Sequence, residues 1–433
     1  MQYGPKNLIL KFDGKNFTHF GGVYLLHLFF KRIELRHHLY RNIKFAQRNN
    51  RYTVAEEMLA LIYPISLGLG RIETTHLLRH NGAFQYLTGL PTYPNPTTLR
   101  RFLLRMAPLA LSKLRRLHDR FLQSMILKPK PPTRVIFDLD STVLILYGKQ
   151  EMARIGYNPQ KWGRPSYHPL LCFNGITKDF WHGELRPGDT HTATGTVELL
   201  KAAFAKLPPS VKIVIIRADK GFYDHETIEY LESNRALFVI VAKLTSPVKR
   251  IISTLSYQVH SSGLETAEFM YQPTKWKKEY RFVVVRRLIP EDPTEQLTLF
   301  SMGKYSYQVL VTNMKLVPLN TWRFYNGRAA VELIIRELKG DYPLGKIPTK
   351  HFAANEAYFH TLLFSYNLIN WFKRLCLPKE FQNMTLKTLR ARLLLVPGEL
   401  VRTENRPTLK LPANFLYKEA FEYAIKKIEK LKT

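Results

Sequence analysis

The sequence predicts an α/β protein in which helices flank a mixed β-sheet that carries a β-rich insertion and follows a helical N-terminal domain. Three observations support this fold class. Apolar residues recur at helical spacing through residues 21–130. From residue 134, β-branched runs alternate with amphipathic stretches, as in a sheet whose strands are joined by helices. Residues 245–318 then contain strand-like alternating stretches and proline-containing turns, which predict the β-rich insertion.

The N-terminal domain, residues 1–130, is predicted to be mainly helical, basic and DNA-binding. In the segment YPNPTTLRRFLLRM, Pro96 is suited to open a helix, with Thr97 or Thr98 as its N-cap. Arg100 and Arg101 then fall on or near the polar side of that helix. This pattern suits a helix-turn-helix-like unit laid against DNA, and it equally suits an ordinary capped surface helix.

The basic, proline-rich stretch KPKPP at 128–132 predicts a rigid linker, because successive prolines favour extended geometry. We therefore place a domain boundary at 130/131. The second domain, residues 131–375, contains the sheet and the insertion. Residues 376–433 form a basic C-terminal region with one late helix.

Charge indicates the class of partner. The chain has 65 Lys and Arg against 34 Asp and Glu, a net charge of +31. An enzyme of small metabolites has no use for such self-repulsion, whereas a polyanion such as duplex DNA neutralises it. A ribosome-associated or simply basic protein is the alternative. Cys172 and Cys376 are too few and too far apart to predict a disulfide framework or a cysteine-based zinc site.

The absence of long apolar stretches from the sequence indicates the expected cellular location. No apolar stretch is long enough to predict a membrane span, and no secretory leader is recognisable. We therefore expect a cytoplasmic protein with no membrane partner, nucleoid-associated when it is bound to DNA.

Two acids lie within the first predicted strand, VIFDLDSTV at 135–143. Asp138 and Asp140 share one face of it, because side chains alternate along a strand. Two carboxylates on one face of an apolar strand require a positive partner, either a basic group or a divalent metal. Asp140 is favoured as the metal ligand because it lies nearer the strand end, and Asp138 is the alternative.

A second acid-tipped strand occurs in IIRADKGFYD at 215–224. Apolar residues lead to Asp219, and Gly221 permits a tight turn after it. Ligands of α/β sheets gather where strands end, so Asp140 and Asp219 are predicted to meet at that edge. The alternative role for Asp219 is to cap the helix that follows.

The most specific pattern is YNGRAAVELIIRELK at 325–339. Its spacing places four polar residues on one stripe of a single predicted helix, opposite an apolar stripe of Val331, Ile334 and Leu338. The polar stripe consists of Tyr325, Arg328, Glu332 and Lys339. Arg328 and Glu332, four residues apart, are predicted to pair. Taken alone, the stripe also fits a solvated charged face.

This spacing resembles the signature of a large branch of the DDE transposases of prokaryotic insertion sequences, which it matches at every signature position. The segments FDLDST and ADKGFY resemble the first and second aspartate blocks of that branch, and a β-rich insertion before the glutamate is typical of it. The resemblance covers residues 134–374.

The resemblance implies an RNase H-like core whose catalytic acids are Asp140, Asp219 and Glu332, holding two Mg²⁺ or Mn²⁺ ions. It implies cleavage at transposon ends followed by 3′-OH strand transfer into target DNA. Both steps are in-line phosphoryl displacements that a two-metal site can serve. The partners are then double-stranded transposon-end and target DNA, bound by a homodimer.

Further residues are predicted to contact DNA. Arg328, Lys339 and Arg336 are expected to neutralise phosphates, with a hydrogen bond from Tyr325. Trp276, in the basic turn KWKKEYR, is expected either to stack on a displaced base or to pack the core of the insertion.

Two other functions fit parts of the sequence. The segment FDLDSTV also resembles the first motif of haloacid dehalogenase-like phosphatases, with Asp138 as nucleophile and Asp140 as acid/base. That hypothesis leaves the net charge and the helical stripe unexplained. A non-catalytic DNA-binding regulator derived from a transposase is the third hypothesis, and cleavage assays discriminate it.

Overall fold

The computed structural model describes residues 9–46, 51–158, 161–289, 300–302 and 304–432. The chain divides into two compact units. The helical unit contains Met1–Leu117, Gly340–Thr349 and Ala353–Thr433, and the sheet unit contains His118–Lys339 and Lys350–Phe352. Among the described residues, no helix combines the length and the apolar character needed to cross a membrane.

The first part of the helical unit contains one short strand and a series of helices. They are β1 (Phe17–Thr18), α1 (Val23–Arg32), α2 (Leu35–Asn42), α3 (Val54–Ser66), a 3-10 helix (Ile72–His80), α4 (Gly82–Thr88) and α5 (Pro96–Ile126), whose residues from His118 onward belong to the sheet unit. A capping box starts α3: the Glu56 N–H donates to the Thr53 hydroxyl, and the Thr53 N–H donates to the Glu56 carboxylate.

The start of α5 corrects one prediction. The helix begins at Pro96 as expected, but its N-cap is Asn95, not Thr97 or Thr98. The Asn95 side chain accepts from the Thr97 N–H at 3.1 Å and from the Thr97 hydroxyl at 3.0 Å. The cap lies just before the proline because Pro at the first helical position has no N–H to satisfy.

The sheet unit contains most of the strands. Its elements are β2 (Arg134–Ser141), β3 (Leu144–Ile145), β4 (Ser166–Tyr167), β5 (Leu170–Asn174), β6 (Phe180–Glu184), α6 (Thr196–Phe204), β7 (Ile213–Ala218), α7 (His225–Ser233), β8 (Leu237–Val241), α8 (Ser246–Thr254), β9 (Gln258–Ser261), β10 (Leu264–Tyr271), β11 (Tyr280–Leu288), β12 (Phe300–Met302), β13 (Tyr305–Thr312), α9 (Pro318–Asn326) and α10 (Ala329–Gly340).

One mixed sheet organises this unit, in the order β6-β5-β2-β7-β8-β13-β11-β10-β9, with β12 paired to β13. The strands β2, β5 and β6 form an antiparallel meander, whereas β2, β7 and β8 run parallel. The mixed sheet that the sequence predicted is therefore present. The β-rich insertion extends the same sheet, because β13 pairs with β8. The core under it includes Ile136, Ile215, Val239, Val283 and Leu310.

A buried histidine makes the sheet unit sensitive to acid. The His118 ring stacks on Phe180, and burial, with the nearby positive charge of Lys206, lowers its pKa to about 3. Below pH 6.5 the His118 ring binds a proton in the unfolded chain but not in the folded chain, so the free energy of unfolding decreases as the pH falls. We expect a loss of about 2 kcal/mol between pH 6.5 and pH 5 from this group.

Urea unfolding of wild type and His118→Gln at several pH values checks this prediction. The variant is expected to lose less stability on acidification than the wild type. Equal pH dependence in the two proteins would contradict it. Other titrating groups are common to both, so the difference isolates His118.

The rest of the helical unit consists of α11 (Phe352–Cys376), α12 (Lys379–Gln382), α13 (Leu386–Leu389), a π-helical turn (Arg390–Leu394), β14 (Gly398–Thr403), β15 (Arg406–Lys410) and α14 (Lys418–Lys430). The helix α11 is buried around most of its circumference. Its polar residues are accommodated because several bond within the helix: the Thr361 and Ser365 hydroxyls donate to carbonyls four residues earlier. Gly22 approaches the Leu393 carbonyl so closely that any Cβ there would overlap it.

Candidate active site

Asp138, in the middle of β2, forms a buried ion pair with Arg217 of β7. The two residues are register partners in the parallel pair of strands, and two hydrogen bonds of 2.6 and 2.8 Å join guanidinium to carboxylate. Arg217 also donates to the Phe324 carbonyl at 2.9 Å. Burial raises the pKa of Asp138, and Arg217 opposes that shift. Gly175 is required beside the pair, because a Cβ there would lie 2.5 Å from the Asp138 carboxylate.

The sequence-based reasoning missed Arg217 as the positive partner of Asp138. The signal was present, since Arg217 is the one basic residue inside the apolar run VIIRAD. A charge in such a strand requires an opposite charge on the neighbouring strand.

Asp140 lies one residue before the end of β2 and is buried. Its Oδ1 accepts a 2.8 Å hydrogen bond from the Ser141 N–H. Burial is the main cause that raises its pKa to about 6; Arg328 lowers the value, whereas Asp219 and Glu332 raise it further. The carboxylate therefore depends on nearby positive charge to remain ionised at neutral pH.

Asp219 follows β7 and performs the capping role that the sequence left open. Its Oδ1 accepts from the Gly221 N–H at 2.8 Å and caps a 3-10 turn, Lys220–Phe222. Its other carboxylate oxygen, Oδ2, lies 3.9 Å from Arg328. The longer helix that follows, α7, is capped instead by Asp224. Capping fixes the orientation of Asp219 while its side chain stays partly accessible.

The stripe carrying the glutamate is not on one helix, which corrects the prediction for residues 325–339. Tyr325 lies near the end of α9, a turn at Gly327 and Arg328 interrupts the helix, and α10 begins at Ala329. Asn-Gly is a poor helix sequence, and the Arg217 guanidinium occupies the space that a Cβ on Gly327 would need. The apolar stripe of Val331, Ile334 and Leu338 is buried as predicted.

Arg328 lies among all three predicted catalytic acids. Its guanidinium is 3.1 Å from Asp140, 3.1 Å from Glu332 and 3.9 Å from Asp219, and it donates to the Leu139 carbonyl. The predicted pairing of Arg328 with Glu332 is therefore present. Arg328 itself is buried, whereas the Glu332 side chain is 64% exposed. The acids thus converge from three separate elements onto one cation.

The remaining residues of the stripe differ in accessibility. Lys339 is partly buried and donates to the Val143 carbonyl at 3.0 Å, and burial lowers its pKa. Arg336 is exposed. Tyr325 belongs to the core cluster below the sheet, and burial raises its pKa to about 12.

His168 connects to this site through Ser141, a link that no pattern in the sequence predicted. Its Nδ1 lies 2.9 Å from the Thr190 carbonyl oxygen, so this nitrogen carries the proton and donates. Its Nε2, 3.1 Å from the Ser141 hydroxyl, then accepts from it. Burial lowers the pKa of His168, which is consistent with a neutral ring. The histidine therefore orients the residue that immediately follows Asp140.

Trp276 is half-buried in an aromatic cluster. Its ring lies 5.0 Å from Tyr223, 5.2 Å from Tyr280 and 5.6 Å from His225, measured between centroids. Both roles considered for it, packing and stacking, remain compatible with this position. Trp322, by contrast, packs against the core and donates to Gln308 at 3.1 Å.

The predicted arginines of the N-terminal region also differ in accessibility. Arg100 pairs with Glu73 and donates to the Pro348 carbonyl at 3.0 Å, all within the helical unit. Arg101 is exposed. Of the two, Arg101 is therefore the one accessible to a partner.

The donor set suits a hard divalent cation, because Mg²⁺ and Mn²⁺ prefer carboxylate oxygens. In the arrangement described here, no three His, Cys, Asp or Glu side chains among the described residues are grouped closely enough to hold a metal ion. The three acids are grouped around Arg328 instead. Since Glu332 is mostly exposed, it is the acid whose side chain can move toward the other two.

Comparison with known proteins defines the class. The chain belongs to the family described as transposase DDE domain group 1, whose match covers residues 2–433. The phosphatase hypothesis has no support from this membership, and both carboxylate oxygens of Asp138, its required nucleophile, are bound by Arg217.

A similar solved structure is that of the piggyBac transposase synaptic complex with hairpin DNA. It shares 13% sequence identity with the chain at a TM-score of 0.43, covering 86% of this chain and 85% of that one. No curated protein matches the sequence.

Proposed function

We propose that this transposase cleaves DNA at the ends of its own element and joins the freed 3′-OH to target DNA, using Asp140, Asp219 and Glu332 to hold divalent metal ions. The observation that carries the proposal is the convergence of these acids on Arg328, at 3.1, 3.9 and 3.1 Å. Three acids from separate elements around one cation form the kind of site that phosphoryl transfer requires.

Two Mg²⁺ or Mn²⁺ ions would supply activation of the attacking oxygen and stabilisation of the leaving oxygen. The protein's own contribution is positional. Asp140 is held by the strand and by Ser141, and Asp219 by its cap on Gly221. Glu332, being exposed, completes the set by a side-chain movement. Because the pKa of Asp140 is raised to about 6, Arg328 keeps it ionised and ready to bind a cation.

Phosphate binding is assigned to the basic residues around the acids. Arg336 is exposed, and Lys339 is anchored near the end of β2 by the Val143 carbonyl, so both can face a DNA backbone. We assign Tyr325 to supporting the site from the core rather than to the expected phosphate contact, because its side chain is buried. Trp276 is assigned to base stacking beside Tyr223, which follows the Asp219 turn.

DNA binding outside the site is assigned to the N-terminal domain at residues 1–130, where Arg101 is the exposed candidate. The net charge of +31 matches a polyanionic partner. Two DNA ends must be handled together, so we assign a homodimer on duplex DNA. We propose that the protein acts in the cytoplasm, on the nucleoid.

Incubation of the protein with linear DNA containing its coding region and flanking sequence tests the proposed function. With Mg²⁺ or Mn²⁺ we expect discrete breaks bearing 3′-OH ends at fixed positions on both flanks. Chelation with EDTA should abolish the breaks and leave binding in a gel-shift assay. Binding without breaks in either metal would favour the non-catalytic regulator.

A further inference from the structure

An unusual surface follows the first catalytic strand. Three aromatic rings between β3 and β4 are largely exposed: Tyr147 at 70%, Tyr157 at 75% and Trp162 at 89%. Large aromatic residues grouped at the surface mark an interaction site more often than scattered single ones do. We call these three residues the aromatic surface.

The charges around the aromatic surface indicate the chemical class of its partner. Four basic residues, Lys149, Arg154, Lys161 and Arg164, are exposed in the same stretch. Lys161 and Arg164 lie over the Tyr147 ring, at 5.2 and 5.8 Å from its centroid. The stretch from 147 to 164 has one acid, Glu151, whose carboxylate accepts from the Phe352 N–H and lies 2.8 Å from His351 Nδ1. Cations interleaved with aromatic rings are the combination that binds unpaired nucleic-acid strands.

Hydrogen bonds and close packing hold described parts of the backbone next to these rings. The Glu151 N–H donates to the Lys350 carbonyl at 2.7 Å, and the Tyr167 hydroxyl donates to the Glu151 carbonyl at 2.7 Å. Gly156 packs so tightly on the Gly188 carbonyl that a Cβ would lie 2.0 Å from it. Asn158 is buried and accepts from the Lys161 N–H at 3.0 Å. A fixed backbone reduces the entropy lost when the rings bind a partner.

The aromatic surface is also connected to the acids. Tyr147 lies seven residues after Asp140, and Lys339 of α10 binds the carbonyl of Val143 between them. The same helix carries Glu332. The segment that carries the aromatic surface thus follows the strand of Asp140, and the helix of Glu332 is hydrogen-bonded to the chain just before that segment.

We propose that Tyr147, Tyr157 and Trp162 stack on unpaired bases of the DNA strand next to the cleaved end. This inference rests on the proposed function, since it takes DNA as the substrate. The stacking is tolerant of base identity, because every base presents a flat π face. The cations contact the phosphates of the same strand.

The test compares binding of two duplex oligonucleotides, one blunt and one with a short single-stranded 3′ extension, measured by fluorescence anisotropy with EDTA present. For wild type we expect the extension to tighten binding by about tenfold. Trp162→Ala should lose most of that gain and bind the blunt duplex as wild type does. Trp162→Phe should keep most of it, because a flat ring is retained.

Ile176→Ala is the matched control, since Ile176 is another exposed apolar residue of the sheet unit. The inference is overturned if the extension gives wild type no gain, or if Ile176→Ala loses as much as Trp162→Ala. It is also overturned if Trp162→Ala changes the oligomeric state without DNA, which would assign the surface to a second copy of the chain. Failure of the proposed function is distinguishable, because wild type would then not cleave its flanking DNA in Mg²⁺.

Discussion

Replacing Asp140, Asp219 or Glu332 with alanine is expected to lower the rate of DNA cleavage by at least about 1000-fold, since each loss removes several kcal/mol of charge stabilisation from the transition state. DNA binding should remain close to that of wild type, because the acids repel phosphates rather than attract them. Cleavage of flanking DNA in Mg²⁺ and a gel-shift assay in EDTA measure the two properties separately.

Glu337→Ala is the control for Glu332→Ala, because Glu337 lies on the same helix, α10, outside the ion pairs of Arg328. It should cleave at nearly the wild-type rate. Glu332→Ala should also melt close to wild type, since its pair with Arg328 has a largely exposed carboxylate and such pairs contribute about 0–1 kcal/mol. An acid whose removal leaves cleavage normal is not a metal ligand, and its assignment would be wrong.

Removing Arg217 is expected to cost about 3–5 kcal/mol of folding free energy, because it leaves the buried Asp138 carboxylate without its partner. The pair is joined by hydrogen bonds of 2.6 and 2.8 Å, and both side chains are almost completely buried. Urea unfolding of Arg217→Met measures the loss. The double variant Asp138→Leu, Arg217→Met should recover most of it, because two apolar side chains need no charge partner.

The same single and double variants test whether Asp138 has a structural or a metal-binding role. If Asp138 serves structure, the double variant retains measurable DNA cleavage once it is folded. Complete loss of cleavage in a stably folded double variant would move the metal-binding role from Asp140 toward Asp138. If Arg217→Met costs no more folding free energy than the loss of an exposed ion pair, the pair with Asp138 is not desolvated.

Much of the sheet could be predicted from the sequence because its strands have strong local signals. The apolar run ending at Asp140 and the β-branched run ending at Asp219 each predict a buried strand and its direction. The meeting of these strand ends was predicted from the general rule that ligands of α/β sheets gather where strands end, whereas the register between distant strands leaves little trace in a single sequence.

The centre of the site could not be predicted in the same way. Spacing placed Arg328 beside Glu332, but the convergence of Asp140 and Asp219 on its guanidinium depends on contacts between distant segments of the chain, which spacing within one helix does not show. The pairing of Asp138 with Arg217 likewise depends on a cross-strand register. The three residues of the aromatic surface follow no helical or strand periodicity, so the sequence could not show that their side chains are exposed.

Because of the Arg328 guanidinium, we expect the folding of the chain not to depend on a bound metal ion. Small metal-dependent domains often unfold when a chelator removes their ion, because ligand repulsion is then uncompensated. In this protein the repulsion among three carboxylates is already offset by a cation that the chain supplies itself. If the three acids bind metal as proposed, a chelator should therefore abolish DNA cleavage without unfolding the protein.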